Sequence, residues 1–398
     1  MQTYISEMAK AVSPSPTLFL DAKYKQMKKD GIPVVGFGAG EPDFATPENI
    51  NKAAISAIEN GFTKYTPASG TVELKKAICE KFRKDCGLEY NIENIVVSNG
   101  AKHSLTNIFM AICEKGDEVI IPAPYWVSYP EMVKMAGGVP KFLDTTEEND
   151  FKFSPDELEA AITSKTRALI LNTPSNPTGM VYTEDVLREI ARIAVKHNIY
   201  VILDEIYEKL IYEGEHISLA TFGEDIKNLT IVVNGMAKAY AMTGWRIGYT
   251  ASNADVAKAM SNIQSHATSN PNSIAQAASV EALLGDQSSV EQMRIEYIKR
   301  RDYMVERINS IDGISCRKPN GAFYIFMNVK DLLGKEHYGK TFNTASELCD
   351  DILERALVAM VPSEGFGIDG YVRLSYATSM ENIKEGLDRI EKYIKNEY

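Results

Sequence analysis

Short apolar runs alternate along the chain with polar loops and with longer amphipathic stretches. The amphipathic pattern is clearest in TEDVLREIARIAVKHN (183–198), which predicts a helix with one buried face. Alternation of strands and helices predicts an α/β fold, with a mainly parallel sheet flanked by helices, whose ligands bind at the carboxyl ends of the strands. The apolar runs lie within NIVVSNGAKHSL (94–105), DEVIIPAPYW (117–126), RALILNTPSNPTG (167–179), IYVILDEIYE (199–208), TIVVNGMAK (230–238) and RIGYTAS (246–252).

The pattern changes after residue 285. The stretch SVEQMRIEYIKRRDYMVERINSI is a long, charged helical pattern, and GAFYIFMNV and YVRLSYAT are typical of two further strands. We therefore expect a large domain over residues 46–285. Residues 286–398, together with residues 1–45, are expected to form a smaller α+β domain with an N-terminal lid segment.

Composition and net charge indicate which kinds of molecule the protein binds. The chain has 398 residues and a formal net charge of −11, which argues against nucleic acid or an anionic membrane as the main partner. No apolar run approaches the roughly 20 residues that span a bilayer, and the N-terminal residues do not resemble a secretory signal. We expect a cytoplasmic protein that acts on small molecules.

Several common kinds of site are disfavoured by the motifs. The five cysteines lack CxxC spacing and the five histidines are scattered without HExxH, so the sequence predicts no metal site. GFGAGEP (36–42) resembles a dinucleotide-binding motif, but Gly40 comes one residue early and Glu41 and Pro42 follow it. GxSxG, the commonest serine-hydrolase motif, does not occur.

Polar side chains follow the predicted strands at the edge where ligands bind. Lys238 comes shortly after TIVV, and Asp204 ends the apolar run YVIL, where a carboxylate is costly unless it is paired. Tyr207 follows three residues later, and Asn176 lies in the tight turn NPTG. Each residue alone also has a structural explanation, but their combination favours a binding site.

The same edge offers an aromatic face and an anion site. Trp126 ends another apolar run, and Gly100, Ala101 and Lys102 lie where a strand gives way to a helix, whose N–H groups favour a phosphate. Arg246 is suited to a bidentate contact with the same phosphate. One common ligand uses a lysine, a carboxylate, a phenol, an amide, a flat ring and a phosphate cradle together, and it is pyridoxal phosphate.

At these residues the chain closely resembles the class I/II pyridoxal-phosphate aminotransferases of fold type I. Within that family it is most similar to the bacterial aspartate aminotransferases of the Iβ-like subgroup. The resemblance runs through AGEPDF (39–44), KYTPASG (64–70), PYWVSYPEM (124–132), NTPSNPTG (172–179), DEIYE (204–208), AKAYAMTGWRIGY (237–249) and VRLSYATS (372–379).

The resemblance implies a role for each matching residue. Lys238 matches the lysine that forms the Schiff base with the cofactor, and Asp204 matches the partner of its ring nitrogen. Tyr207 and Asn176 match the groups that bind the ring hydroxyl oxygen, and Trp126 matches the residue stacked on the ring. The surroundings of the phosphate correspond to Gly100, Ala101, Lys102 and Arg246.

The resemblance also implies how substrate and a second subunit take part. Arg373 matches the arginine that holds the α-carboxylate of the substrate, helped by the backbone of Gly40 and by Trp126 and Asn176. Tyr65 matches a tyrosine that reaches the cofactor phosphate of the neighbouring subunit, which implies a homodimer with shared sites. Many relatives carry serines just before the lysine, whereas this chain has Asn234, Gly235, Met236 and Ala237, so one hydroxyl contact to the phosphate is expected to be absent.

The resemblance to the subgroup also implies a choice of substrate. In that subgroup, a lysine at the position of Lys102 and hydroxyls at the positions of Ser15 and Thr17 face the distal carboxylate of the substrate. The N-terminal segment that contains Ser15 and Thr17 is expected to close over bound substrate. A role of Lys102 toward the phosphate alone, or in solvent, remains open. The leading reaction is L-aspartate with 2-oxoglutarate, giving oxaloacetate and L-glutamate by a ping-pong mechanism. Prephenate, aromatic or alanine-type transamination, or a β-lyase on the same fold, are the alternatives.

Overall fold

The structure is a computed structural model that describes residues 4–14 and 16–398, with the side chains of residues 16–19 and 21 left outside the description. Two of the residues expected at the distal carboxylate fall on these gaps. Ser15 lies outside the described residues, and Thr17 is described only as part of a helical backbone. Their expected roles stay predictions.

Helices and strands follow one another along the described residues. The helices are α1 (Glu7–Ala11), α2 (Pro16–Lys29), α3 (Glu48–Glu59), α4 (Val72–Cys86), α5 (Ala101–Ile112), α6 (Ser128–Met135), α7 (Pro155–Ala161), α8 (Glu184–His197), α9 (Glu224–Leu229), α10 (Ala254–Ala267), α11 (Ser273–Leu284), α12 (Ser288–Asn309), α13 (Ala345–Arg355) and α14 (Met380–Ile394). The strands are β1 (Val35–Gly36), β2 (Ile95–Ser98), β3 (Glu118–Ala123), β4 (Val139–Asp144), β5 (Thr166–Asn172), β6 (Tyr200–Asp204), β7 (Thr230–Gly235), β8 (Gly248–Ala251), β9 (Ser315–Cys316), β10 (Tyr324–Asn328), β11 (Glu336–His337), β12 (Lys340–Thr341), β13 (Val358–Ala359), β14 (Val361–Pro362) and β15 (Tyr371–Ser375).

A seven-stranded sheet, in the order β2-β8-β7-β6-β5-β3-β4, forms the centre of the molecule. Strands β4, β3, β5, β6 and β7 pair in parallel, and only β8 runs antiparallel to its neighbours β7 and β2. Consecutive residues of β6 pack into different hydrophobic clusters, Ile202 on one face and Leu203 on the other. A sheet buried on both faces by helices confirms the predicted α/β fold.

The parallel pairing aligns the strand ends that carry the predicted polar residues. Asn172, the last residue of β5, is level with Asp204, the last residue of β6. Asp204 is in turn level with Val233 of β7, five residues before Lys238. The register therefore brings these side chains to one edge of the sheet.

A smaller antiparallel sheet, in the order β14-β15-β10-β9, contains the two predicted C-terminal strands. Arg373 lies in β15, opposite Phe326 of β10. The N-terminal strand β1 pairs with β13, with Val35 opposite Val358, so residues before α3 pack against the C-terminal region. The division into domains at residues 45/46 and 285/286 stays a prediction.

None of the described helices is both long enough and apolar enough to cross a bilayer.

Candidate active site

A cavity of about 450 Å³ opens at the carboxyl edge of the parallel strands. Residues of both sheets and of the loop between β1 and α3 line it. The sequence-predicted residues that line it are Gly40, Ala101, Lys102, Trp126, Asn176, Asp204, Tyr207, Lys238, Arg246 and Arg373. The structure thus brings together residues separated by more than 300 positions in the chain.

Lys238 projects into the cavity three residues after the end of β7. Its Nζ donates a hydrogen bond to the carbonyl oxygen of Gly40 at 2.5 Å. Burial lowers the pKa of Lys238 to about 8, with the positive charges of Arg373 and Arg246 adding to the effect and Glu41 opposing it. A lysine with this pKa has a substantial neutral, nucleophilic fraction near neutral pH.

Asp204 presents a buried carboxylate to the same cavity. Its Oδ2 accepts a hydrogen bond from the Tyr129 hydroxyl at 2.6 Å, and its Oδ1 accepts one from the Ile206 N–H at 3.2 Å. Burial raises the pKa of Asp204 to about 6, against the opposing effect of Tyr129. Among the described residues no lysine or arginine forms an ion pair with this carboxylate, so it is suited to a cationic group of a ligand.

Arg373 is buried at the opposite wall of the cavity. Its Nη1 donates to Asn176 Oδ1 at 3.0 Å and its Nη2 donates to the Gly38 carbonyl oxygen at 3.2 Å. The guanidinium lies over the rings of Tyr324 and Phe366, and its buried Nε has no hydrogen-bond partner within the described residues. A buried arginine held by neutral groups is ready to bind a carboxylate.

Tyr207 completes the wall beside Arg373. Its hydroxyl lies 3.0 Å from the hydroxyl of Tyr324, and both rings are buried. Burial, followed by the neighbouring Tyr324, raises the pKa of Tyr207 well above its ordinary value. The phenol therefore stays protonated and can donate a hydrogen bond to a ligand oxygen.

Helix α5 begins at the cavity and forms its anion-binding side. Gly100 precedes the helix at φ +88°, and a Cβ there would lie 2.2 Å from Nη2 of Arg246. A Cβ on Gly248 would lie 2.2 Å from the backbone nitrogen of Ala101. The two glycines thus let the guanidinium and β8 approach the helix N-terminus, which favours an anion such as a phosphate.

Lys102 and Trp126 lie together at the cavity wall. The Lys102 ammonium is 4.9 Å from the centre of the Trp126 ring, and the rings of Trp126 and Tyr129 pack nearly perpendicular to each other. Burial, with Arg246 nearby, lowers the pKa of Lys102. The geometry is compatible with either of the roles that the sequence leaves open for Lys102.

Neither the predicted residue Tyr65 nor Asn234, which stands where many relatives carry a serine, is among the residues that line this cavity. Tyr65 is 91% exposed and does not line it, so its expected contact with the cofactor phosphate of a neighbouring subunit stays a prediction. Asn234 is buried, and its Oδ1 accepts a hydrogen bond from the Gly235 N–H at 2.7 Å. A Cβ on Gly235 would lie 2.9 Å from the Ile247 carbonyl oxygen, which explains why no side chain fits at that position.

The structure adds residues that the sequence analysis did not identify. Tyr129 binds Asp204, Tyr324 binds Tyr207, and the Asn172 amide donates to the Asp204 carbonyl oxygen at 2.9 Å. Each lies in a motif quoted above: PYWVSYPEM, GAFYIFMNV and NTPSNPTG. A position at the carboxyl end of a strand was available as a signal only for Asn172, since Tyr129 lies in α6 and Tyr324 begins β10.

A buried charge cluster lies behind the turn that carries Asp204 and Tyr207. Glu205 is fully buried, and its Oε1 lies 3.2 Å from Nε2 of His216. Lys81 of α4 lies 2.5 Å from Glu208. Burial alone would lower the pKa of Lys81, but the carboxylate of Glu208 holds it well above its ordinary value. Glu205, Glu208 and His216 have the spacing of a metal site, yet the Lys81 ammonium already supplies a cation.

Removal of this cation is expected to destabilise the fold. Lys81→Met should lower the free energy of unfolding by about 3–5 kcal/mol, because the buried Glu205 and Glu208 would be left with His216 as their remaining partner. Denaturant titration of the variant checks this. Lys52→Met is the matched control, since Lys52 pairs with Glu48 on an exposed helix face and its removal should change little. Equal effects of the two substitutions would contradict the account.

Comparison with known proteins agrees with this geometry. Residues 32–390 match the family model described as aminotransferase class I and II. The chain is 48% identical over 396 residues to an aspartate aminotransferase of Bacillus sp. (strain YM-2), covering 99% of this chain and 100% of the relative. It is 46% identical over 390 residues to an aspartate/prephenate aminotransferase of Nitrosomonas europaea, covering 97% and 98% of the two chains.

Solved structures give the same result. The crystal structure of the aspartate aminotransferase from Rhizobium meliloti superposes with a TM-score of 0.96 at 43% identity, over 99% of this chain and 100% of the other. The structure of the Thermus thermophilus aspartate aminotransferase with maleate superposes with a TM-score of 0.93 at 42% identity, over 98% of this chain and 100% of the other. The chain therefore belongs to the family of class I and II aminotransferases.

Proposed function

We propose that this aminotransferase uses pyridoxal phosphate to transfer the amino group of L-aspartate to 2-oxoglutarate, giving oxaloacetate and L-glutamate in two half-reactions. The observation that carries the proposal is the meeting of Lys238, Asp204 and Arg373 in one cavity. The names of the relatives from Bacillus and Rhizobium support the choice of aspartate.

The donors and acceptors in the cavity fit pyridoxal phosphate. The buried Asp204 carboxylate has no cationic partner in the described part of the chain and suits a protonated ring nitrogen. Gly100 leaves the space through which Arg246 reaches the N-terminus of α5, where a phosphate is favoured. Lys238, with its lowered pKa, supplies the amine that an aldehyde requires.

The residues of the cavity are proposed to have two kinds of role, binding of the cofactor and transfer of the Cα proton. When bound, pyridoxal phosphate supplies an aldehyde and a ring that accepts electrons. Lys238 would hold the cofactor through its amine, and that amine is suited to remove the Cα proton of the substrate and return it as general base and acid. Asp204 would face the ring nitrogen and favour its protonated form, while Tyr207 and Asn176 would bind the ring hydroxyl oxygen.

Arg373 is proposed to hold the α-carboxylate of the substrate. Its contacts to Asn176 and Gly38 fix the guanidinium plane before substrate enters, and the rings of Tyr324 and Phe366 lie against the guanidinium. Binding at this point would hold the substrate in the cavity that Lys238 also lines. Orientation of this kind is a large part of the rate gain of an enzyme that binds its substrate at two points.

The lowered pKa of Lys238 leads to a prediction about cofactor capture. An aldehyde reacts with the neutral amine, so the rate at which cofactor-free protein captures pyridoxal phosphate should rise about tenfold per pH unit below 8 and level off above it. Stopped-flow absorbance checks this. A rate that continues to rise toward pH 10, as for an exposed lysine, would contradict it.

Substrate choice is proposed to depend on Lys102. If Lys102 binds the distal carboxylate, Lys102→Met should raise KM for aspartate about tenfold or more and leave KM for alanine unchanged, because a hydrogen bond to a charged group contributes about 1.5–3 kcal/mol. Steady-state kinetics with both donors checks this. Equal effects on both donors, with weaker cofactor retention, would assign Lys102 to the phosphate instead.

Prephenate transamination is the second candidate function. The Nitrosomonas europaea relative is named for both aspartate and prephenate, and Trp126 gives the cavity an aromatic face. A panel of oxo acids that includes prephenate separates the candidates. Formation of ammonia instead of a new amino acid would favour a β-lyase.

A homodimer with shared sites is also proposed. Tyr65 is 91% exposed, and the neighbouring side chains of Ile55, Ile58 and Phe62 are 54%, 55% and 40% exposed. Covering these apolar groups favours association, and a second chain would give Tyr65 a cofactor phosphate to bind. The cytoplasmic location stays a prediction.

A further inference from the structure

The loop between β1 and α3 supplies several contacts to the reacting groups. The carbonyl oxygen of Gly38 accepts from Arg373, and that of Gly40 accepts from Lys238. The Glu41 carboxylate accepts from the Thr243 hydroxyl at 2.8 Å, beside the same cavity. The position of this loop therefore affects both substrate binding and the lysine.

Backbone pairing does not fix the middle of this loop. Phe37 at its start bonds to Ala359 and Ser375, and the Thr46 hydroxyl at its end donates to Ala241. Between them, residues 38–45 form no backbone–backbone hydrogen bonds in the described part of the chain. Side chains must therefore hold the loop where its carbonyl groups are needed.

Arg300 of α12 provides the strongest such contact. Its Nη1 donates to both carboxylate oxygens of Asp43, at 2.8 and 2.9 Å, and also to the Tyr376 carbonyl oxygen. Arg300 is only 6% exposed, and the Asp43 side chain is 28% exposed. This is the loop's only ion pair in the described structure, and its partial burial makes it stronger than a surface pair.

The next residue of the loop adds apolar packing to the same point. The Phe44 ring lies 5.4 Å from the ring of Tyr297, edge to face, and the Arg300 guanidinium lies 5.1 Å from the Phe44 ring. Tyr297 and Arg300 are neighbours on one face of α12, three residues apart. The helix thus holds Asp43 and Phe44 together.

The geometry points to Arg300 as a positioning residue for transamination, acting through Asp43. It holds the loop so that the Gly38 carbonyl orients Arg373 and the Gly40 carbonyl orients Lys238. Arg300 is not among the described residues that line the cavity, so it is placed to act through Asp43 and not by direct contact. The inference rests on the proposed function, because the groups that Arg300 positions are the ones that perform the reaction.

Asp43→Asn is the variant that tests this inference, since it keeps the shape of a partly exposed side chain and removes the charge. We expect KM for the amino acid to rise and kcat/KM to fall by about ten- to a hundredfold with the unfolding temperature almost unchanged, because small displacements of reacting groups are costly. Arg300→Met should give the same kinetic loss, and the double variant should lose no more than either single one.

A second readout does not depend on activity. The Gly40 carbonyl and the Glu41 carboxylate both favour the protonated form of Lys238, so loosening the loop should lower the pH midpoint of pyridoxal phosphate capture. Arg300→Lys keeps the charge and should recover part of both losses.

Arg307→Met is the matched control. Arg307 lies on the same helix but pairs with Asp388 and Glu391 of α14, so its removal should leave both readouts at their original values. The inference is overturned if Asp43→Asn has the KM and the capture midpoint of the unaltered protein. Absence of transamination in the unaltered protein would instead reject the proposed function, and the capture midpoint would still report on Arg300.

Discussion

Replacing Lys238 with alanine is expected to abolish transamination. With the roles proposed for Lys238, the variant would lose both the covalent attachment of the cofactor and the base for the Cα proton, so kcat should fall by more than about 10⁴-fold, the upper end of what a positioned acid–base group contributes. Continuous measurement of oxaloacetate formation at saturating pyridoxal phosphate checks this.

Two controls separate chemistry from folding in that experiment. Lys238→Arg keeps a positive charge near Gly40 but cannot capture the aldehyde, so it should be as inactive as the alanine variant. Lys209→Ala removes a partly exposed lysine that pairs with Asp85 outside the cavity, and it should stay active. Substantial turnover by Lys238→Ala would mean that another group performs the proton transfer.

Asp204→Asn is expected to have the second-largest effect. The amide retains the size of the carboxylate and can still accept from Tyr129, but it cannot stabilise a protonated ring nitrogen. We expect kcat to fall by about 10³-fold, the loss typical when one preorganised electrostatic group is removed from a site. Single-turnover kinetics with aspartate measures this without interference from product release.

The result for Asp204 depends on the fold remaining intact. Asp204 also accepts from the Ile206 N–H, so the unfolding temperature of the variant must be measured as well. Asp185→Asn, on an exposed turn of α8, is the control and should behave like the unaltered protein. A near-normal rate for Asp204→Asn would show that this carboxylate serves only to hold the turn.

The sequence predicted the parts of the site that depend on strand ends. Asp204, Asn176 and Lys238 each follow an apolar run, and parallel pairing places the ends of such runs at one edge. The local sequence pattern is sufficient to predict the position of these residues, because each lies at or just after the end of a strand that points to the cavity. The same applies to α5, whose start at Ala101 agrees with the predicted phosphate side.

Contacts between residues far apart in the sequence could not be predicted from the pattern of apolar and polar positions. Tyr129 reaches Asp204 across 75 residues, and Tyr324 reaches Tyr207 across 117. Neither tyrosine is distinguishable in the sequence from an ordinary core aromatic residue. The Arg300–Asp43 pair spans 257 residues and becomes visible only when α12 packs against the loop.

The most direct test of transamination at Lys238 is to add single amino acids to the purified protein with bound pyridoxal phosphate and to follow its visible absorbance. Aspartate or glutamate should bleach the yellow band of the lysine-bound cofactor, and 2-oxoglutarate should restore it. A protein that shows no band after incubation with excess pyridoxal phosphate, or a band that no amino acid bleaches, would contradict the assignment of Lys238 and of transamination.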